Sequence, residues 1–232
     1  MRTRSGLDQD LNKLRDMLFE MAELVNEALD RALDSLKKRD AELAQAVIRD
    51  DDVVNRMRYE VEQYCVNTIA TQQPVATDLR TIMAMMHAAV EVERMGDHAT
   101  GVAKITLEVC EEPLLKPLID LPRMVSIARE MLHEAVRALV NNDAEAARTI
   151  VKRDDEVDAL HDQIFRELIT YMLEDPSTIR RATHLIWASH AVERFADRAT
   201  NIAERALFVT SGRLEDLTSE ATEPEGSTSP AC

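Results

Sequence analysis

VERMGDHATGVAKITL (residues 92–107) returns as VERFADRATNIAERAL (residues 192–207), and this pair of stretches decides how the rest of the chain is read. Eight of the sixteen positions are identical: Val92, Glu93, Arg94, Asp97, Ala99, Thr100, Ala103 and Leu107 meet Val192, Glu193, Arg194, Asp197, Ala199, Thr200, Ala203 and Leu207. Self-similarity at a fixed offset marks a tandem repeat. In each copy a Glu and an Asp stand four apart, so on a helix the two carboxylates lie one turn above the other on the same face.

The repeat extends upstream. RDDDVVNRM at 49–57 aligns with RDDEVDAL at 153–160 and places Asp51 with Asp154, Val54 with Val157 and Asn55 with Asp158. Each half therefore offers two helices bearing acidic or amide groups one turn apart. The sets are Asp51 and Asn55 with Glu93 and Asp97, then Asp154 and Asp158 with Glu193 and Asp197.

Composition supports an all-helical protein. Aromatic residues make up 3% of the 232, glycines number 5, and 43 Asp and Glu against 28 Lys and Arg give a formal charge of −15. Such a balance disfavours direct nucleic-acid binding, which needs clustered Lys and Arg, and favours cations or basic protein surfaces as partners. The start, MRTRSGLDQDLNK, has no apolar core of signal-peptide length, and the longest apolar run, around 82–92, is interrupted by His87 and Glu91. No transmembrane span is expected. Cys65, Cys110 and Cys232 are far apart and form no CxxC pattern, which fits a reducing cytoplasm.

Apolar residues at spacings of three and four predict six long helices. Leu11, Leu14, Leu18, Met21, Val25, Ala28, Ala32 and Leu36 mark the first, over about 7–38, and Asp40 is a ready N-cap for the second. TQQP breaks the second helix, and Pro74 suits the first turn of the third, which carries the acid pair to about residue 110. Pro113, Pro117 and Pro122 forbid a continuous helix across 113–122, which reads as a linker between a first three-helix bundle over 7–112 and a second over 123–211. NND closes the fourth helix and EDPST the fifth. Residues 212–232 are too polar, and too rich in Ser, Thr, Glu and Pro, to pack, so a disordered acidic tail is expected.

A single ExxxD is usually a solvated face. Here Glu93 and Asp97 continue the pattern of Ile82, Met86 and Ala89, which puts them in or beside the seam where helices meet, and the same placement recurs in both halves. Converging carboxylates repel unless protonated, paired with Arg or Lys, or bridged by a cation. Oxygen clusters suit magnesium, manganese, calcium and iron, and less obviously zinc. Arginine is the rival explanation. Arg94 and Arg194 lie about 100° around the helix from the acid stripe and need other partners, whereas Arg80 and Arg180 are candidates for cross-helix salt bridges. Gly96 and Gly101 fall inside the third helix, where each costs roughly 1 kcal/mol against Ala, so close approach of a backbone or ligand is expected there. Glu130 and His133 form one ExxH, the spacing of di-iron bundles, without a second copy. His190, one turn before Glu193, is a possible ligand whose counterpart is Val90.

The order DxxVN, QPVATDLR (73–80) and ERMGDHA (93–99), repeated as DDEVD and ERFADRA, resembles the PhoU family of phosphate-signalling proteins across roughly 7–210. The resemblance implies two similar three-helix bundles with metal bound through the E(D)xxxD motifs. Carried over residue by residue, the implied ligands are Asp51, Glu93 and Asp97 in the first half, with Asn55 in the place of an acid, and Asp154, Asp158, Glu193 and Asp197 in the second. Iron, zinc, manganese or magnesium would be the ion. It also implies a negative regulator of the phosphate-starvation response and phosphate uptake, here read as a non-enzymatic adaptor in the cytoplasm, with a homodimer the expected assembly. Its partners would be a sensor histidine kinase and the ATPase subunit of the phosphate transporter. A carboxylate-bridged di-metal enzyme and a metal-free helical scaffold are the alternatives.

Overall fold

The computed structural model describes residues 4–213, and all regular structure among them is helical. The long seam read in the first residues becomes α1, Arg4–Lys38, which buries Leu11, Leu14, Leu18, Met21, Val25, Leu29, Ala32 and Leu36. Asp40 then caps α2, Ala41–Gln72, by accepting a hydrogen bond from Leu43 N at 2.9 Å. The second half repeats the device: Asp143 caps α5, Ala144–Glu174, through Ala146 N at 3.0 Å. Each cap satisfies one of the orphan donors that every helix start leaves, a contribution of about 1 kcal/mol.

The helix stops follow from local chemistry. Gln73, whose right-handed conformation the following Pro74 disfavours, turns left-handed (φ 51°) and returns its N–H to Ile69 O. Helix α3 runs Ala76–Val109, so Pro74 sits just outside its first turn and not within it. Helix α4, Asp120–Asn141, begins inside the stretch expected to be linker. Pro122 lies in its first turn, where a missing N–H leaves no bond unmade, so the connection between halves is confined to 110–119. Asn142 (φ 54°) ends α4 as the NND signal predicts. A 3-10 turn at Pro176–Thr178 leads from α5 into α6, Ile179–Ser211, which stops at the left-handed Gly212 (φ 73°). The expected disordered tail falls, from residue 214 onward, outside the described residues.

Helices α1, α2 and α3 pack together, as do α4, α5 and α6, giving the two three-helix bundles. The bundles meet chiefly along α3 and α6, the two helices that carry the repeated acid pairs. That seam is antiparallel. Arg80 Nε donates to Val209 O (3.2 Å) at one end, Glu91 accepts from Asn201 Nδ2 (3.1 Å) and pairs with Arg198 (3.4 Å) further along, and Arg180 pairs with Glu112 (2.7 Å) at the other end. Helices α1 and α4 also cross, with Asn26 Nδ2 on Arg129 O (3.3 Å), Arg129 on Asp30 (2.8 Å) and His133 beside Glu23 (3.4 Å). An internal pseudo-twofold axis thus passes near the buried Met95 and Phe195 at the α3–α6 seam and near Asn26 and Arg129 at the α1–α4 crossing. One continuous apolar core links the halves. Burial of each large side chain in it contributes about 1.5–3 kcal/mol.

The two helical glycines differ in what they permit. A Cβ on Gly101 would meet only Ala191 Cβ at 3.9 Å, an ordinary contact, whereas a Cβ on Gly96 would stand 3.0 Å from Asp51 Oδ1. We expect Gly101→Ala to raise stability by about 0.5–1 kcal/mol, read as a higher midpoint in thermal or urea unfolding. Gly96→Ala should recover less than Gly101→Ala, because Asp51 must shift to make room.

Candidate functional site

The sequence-predicted acids assemble at equivalent places, between α2 and α3 in the first half and between α5 and α6 in the second. Asp51 is half-buried, and its carboxylate comes close enough to Gly96 to explain why that position carries no side chain. Burial, and next the charge of Asp97, push its pKa up, partly offset by a hydrogen bond from Asn55 Nδ2 to Asp51 Oδ2 at 3.0 Å. Glu93 is raised for the same two reasons, burial first and Asp97 second. The amide in place of an acid at position 55 therefore acts as an internal donor to its neighbour.

Arginine enters this first cluster from a position the sequence reading passed over. Arg58, one turn beyond Asn55 on α2, binds Glu62 at 2.7 Å and brings Nε to 3.6 Å from Glu93 Oε1, with its guanidinium 4.0 Å from the Tyr59 ring centre. Arg58 follows Asn55 by three residues, a spacing that puts it on the same helix face as the amide. The arginines that were singled out do other work. Neither Arg80 nor Arg180 forms the expected helix-to-helix salt bridge: Arg180 pairs with Glu112 in the connection after α3 and donates to Glu108 O at 3.0 Å, and Arg80 donates to Val209 O, so both tie the α3–α6 seam away from the acids. Arg94 pairs with Glu91 at 3.0 Å, and Arg194 reaches Asp197 at 3.3 Å, so in the second copy this arginine does touch the acid stripe.

The second cluster has more acid and less cation. Asp154 has its pKa pushed up to about 7 by burial and, in decreasing order, by the charges of Asp197, Asp158, Glu193 and Asp155. Burial and Asp197 likewise raise Asp158 and Glu193. Asp154 Oδ1 and Glu193 Oε2 are buried without a hydrogen-bond donor. His190 Nδ1 stands 2.9 Å from Glu193 Oε2, though off hydrogen-bond alignment, and His161 occupies the place that Arg58 holds in the first copy. Asp158, like Asp97 in the first cluster, lies exposed at the mouth while the other acids sit deeper.

These donor sets fit a hard or borderline cation: several carboxylates, mutually repelling, with orphaned oxygens in the second cluster. Among the described residues no three His, Cys, Asp or Glu side chains stand together as a ready-made ion cage, so binding would require side-chain rotation. The ExxH reading dissolves. Glu130 pairs at 2.6 Å with Arg153, the residue before Asp154, and His133 with Glu23 at 3.4 Å, in a groove between α1 and α4, so the two are occupied by separate partners. That groove is itself acidic, edged by Glu20, Glu23, Glu27 and Asp30 at spacings of three and four along α1. No described helix is long and apolar enough to cross a membrane.

Two tandem three-helix repeats joined across an antiparallel seam, each with an acid cluster between its second and third helices, define a class of duplicated all-helical bundles that comparison with known proteins makes specific. A family model described as the PhoU domain matches twice, at residues 18–106 and 121–206. The chain belongs to the PhoU family. The phosphate-specific transport system accessory protein PhoU homolog of Aquifex aeolicus is 39% identical over 208 residues, spanning 90% of this chain and 94% of that protein. The homolog from Pseudomonas aeruginosa is 35% identical over 204 residues, covering 88% of this chain and 84% of its own length. Among solved structures, the crystal structure of PhoU from Pseudomonas aeruginosa aligns with a TM-score of 0.83 at 34% identity, covering 89% of this chain and 99% of that one. The phosphate transport system regulatory protein PhoU from Streptococcus pneumoniae aligns with a TM-score of 0.84 at 28% identity, covering 90% and 99%.

Charge repulsion in the second cluster carries a pH signature. Asp154 releases its proton near 3.8 when unfolded and near about 7 when folded, so between these values the folded state holds the extra proton and stability falls as pH rises. In metal-free protein the unfolding midpoint should therefore climb as pH is lowered from 8 toward 5, and Asp154→Asn should flatten that dependence and raise the midpoint at pH 8. A slope unchanged in the variant would assign the effect to other groups.

Proposed function

We propose that the chain is a metal-binding regulatory adaptor of phosphate transport and not an enzyme. Family membership supports an accessory role in a phosphate transport system, since the relatives bear that description and one structural neighbour is described as regulatory. In this reading it restrains phosphate uptake and the phosphate-starvation response from the cytoplasm, as a homodimer, by contacting a sensor histidine kinase and the transporter's ATPase subunit. Asp51, Glu93 and Asp97 with Asn55, and Asp154, Asp158, Glu193 and Asp197, would hold the ions. A bound cation supplies the positive charge that the carboxylates lack.

The observation that carries the metal part is the orphaned, buried Asp154 Oδ1 amid carboxylates that each raise its proton affinity. Unpaired buried charge is expensive, and a cation is the partner whose binding relieves it without protonation. Acidic groups along α1 support basic protein surfaces as contacts. Oxygen consumption by iron-loaded protein would instead favour the di-metal enzyme.

Two measurements test the proposal. Metal content of purified protein should drop by about half or more on Asp154→Ala with Glu193→Ala, the first cluster being the weaker for its amide and its arginine. Unchanged content would remove the second site. Pull-down with the kinase and the ATPase, at high and low phosphate and with or without chelator, should recover at least one of them. Recovery of neither under all conditions would sink the adaptor reading.

A further inference from the structure

Helix α1 carries a second stripe besides its buried one. Asp16, Glu20, Glu23, Glu27, Asp30 and Asp34 follow one another at spacings of four, three, four, three and four, so six carboxylates lie in one row along the helix. Arg129 pairs with Asp30 at 2.8 Å, Lys38 pairs with Asp34 at 2.9 Å, and His133 stands beside Glu23. Asp16, Glu20 and Glu27 pair with no Lys, Arg or His among the described residues. At the offset that matches Asn26 to Arg129, the equivalent row on α4 runs Arg123, Ser126, Glu130, His133 and Arg137. It holds one acid, and Arg153 already pairs with it. The α1 wall of the groove is therefore the acidic one.

The floor of that groove holds a polar atom without a partner. A cleft of about 500 Å³ along the α1 wall is edged by Glu20, Glu23, Glu27 and Asp30, with Arg129 the one cation among its lining residues. A second cleft, of about 320 Å³, adjoins it at Glu23, Asn26 and Arg129. Asn26 lines both and is 5% exposed. Three residues after Glu23 and four before Asp30, it lies on the face of the acid row. Its Nδ2 donates to Arg129 O at 3.3 Å, and because that carbonyl only accepts, the orientation of the amide is fixed. Oδ1 is left buried without a hydrogen-bond donor. Carboxylates and an orphaned amide oxygen are all acceptors, so the groove calls for donors that carry positive charge.

The pitch of the row selects how those donors are carried. A mean spacing of 3.5 residues sets the carboxylates about 5 Å apart along the axis, the pitch at which a second helix presents side chains at alternating spacings of three and four. One face of an extended chain repeats about every 6.7 Å and slips by a whole group over the length of the row. We propose that the acidic edge of α1 is the docking surface for a helix of a partner protein that bears Lys or Arg at spacings of three and four, with one cationic head seated in the cleft over Asn26. The inference rests on the adaptor reading above and names the surface through which a partner would be held. A second copy of this chain is the poorer occupant, since its α4 row offers Arg123 and Arg137 on either side of Glu130 and each copy adds a charge of −15.

The full chain is tested in the pull-down with the kinase and the ATPase, and by titration with two synthetic alanine-based helical peptides of equal composition. One peptide carries its lysines in a single row at spacings of three and four, and the other spreads them around the helix. Glu20→Lys with Glu27→Lys is compared with the unaltered protein and with Glu60→Lys with Glu174→Lys, which changes net charge equally at exposed positions on α2 and α5. Helix content and unfolding midpoint are recorded for each, and all four positions are exposed, so the variants should fold. The single-row peptide should bind more tightly than the spread one. Its affinity should fall at least about tenfold in Glu20→Lys with Glu27→Lys, and partner recovery should fall with it, while the control variant keeps both. Equal loss in the control variant overturns the row, since net charge would then be the cause. Equal binding of the two peptides overturns the helical partner and leaves a groove for any polycation. Undiminished partner recovery by the α1 variant overturns this surface while the adaptor reading stands. Recovery of neither partner by the unaltered protein overturns both.

Discussion

Packing of α3 against α6 is the constraint on which the rest of the molecule depends. Each helix is the third of its bundle, each buries one face in its own half, and each must spend a second face on the other. Small residues allow the close approach: Gly101 and Ala191 meet there, the only atom a Cβ on Gly101 would touch being Ala191 Cβ at 3.9 Å. A helix committed on two faces has only a narrow stripe left for polar chemistry. The acids occupy that stripe, at the margin with α2 or α5, and so are held half in and half out of water.

Holding carboxylates there is an electrostatic problem that the two halves solve differently. In the first, Asn55 donates to Asp51 and Arg58 approaches Glu93, so the cluster is partly neutralised by its own side chains. In the second, Asp158 adds charge where Asn55 had removed it, and histidines stand in the places of Arg58 and Val90. The outcome is an oxygen without a donor on Asp154 and a carboxyl that keeps its proton to about pH 7. Duplication preserved the backbone geometry while the side chains came to serve separate ends.

How much of this the sequence disclosed depended on whether the determinant was local. The helix cap at Asp40, the break at NND and the offset of 100 between Glu93–Asp97 and Glu193–Asp197 are properties of short segments, and all are legible in the sequence. Pro122 was misjudged because a proline forbids the interior of a helix but suits its first turn, and which applied depended on where Asp120 began α4. The acid residues are legible in the sequence, but the arginine partner of Glu93 is not: Arg58 lies on the preceding helix, and only the three-dimensional approach of α2 to α3 brings it to the site. The antiparallel sense of the α3–α6 seam was likewise beyond reach, since no residue pattern along either helix encodes direction.

The groove between α1 and α4 lies on the same pseudo-twofold axis, where Asn26 meets its repeat counterpart Arg129. A surface of true twofold symmetry presents itself identically after half a turn, and anything that docks on it has two equivalent poses. Here the axis relates an amide to a guanidinium and the glutamate-rich edge of α1 to the Arg129- and His133-bearing edge of α4. The fold repeats but the charge does not, which makes the two sides across the axis distinguishable where the backbone alone would leave them equivalent.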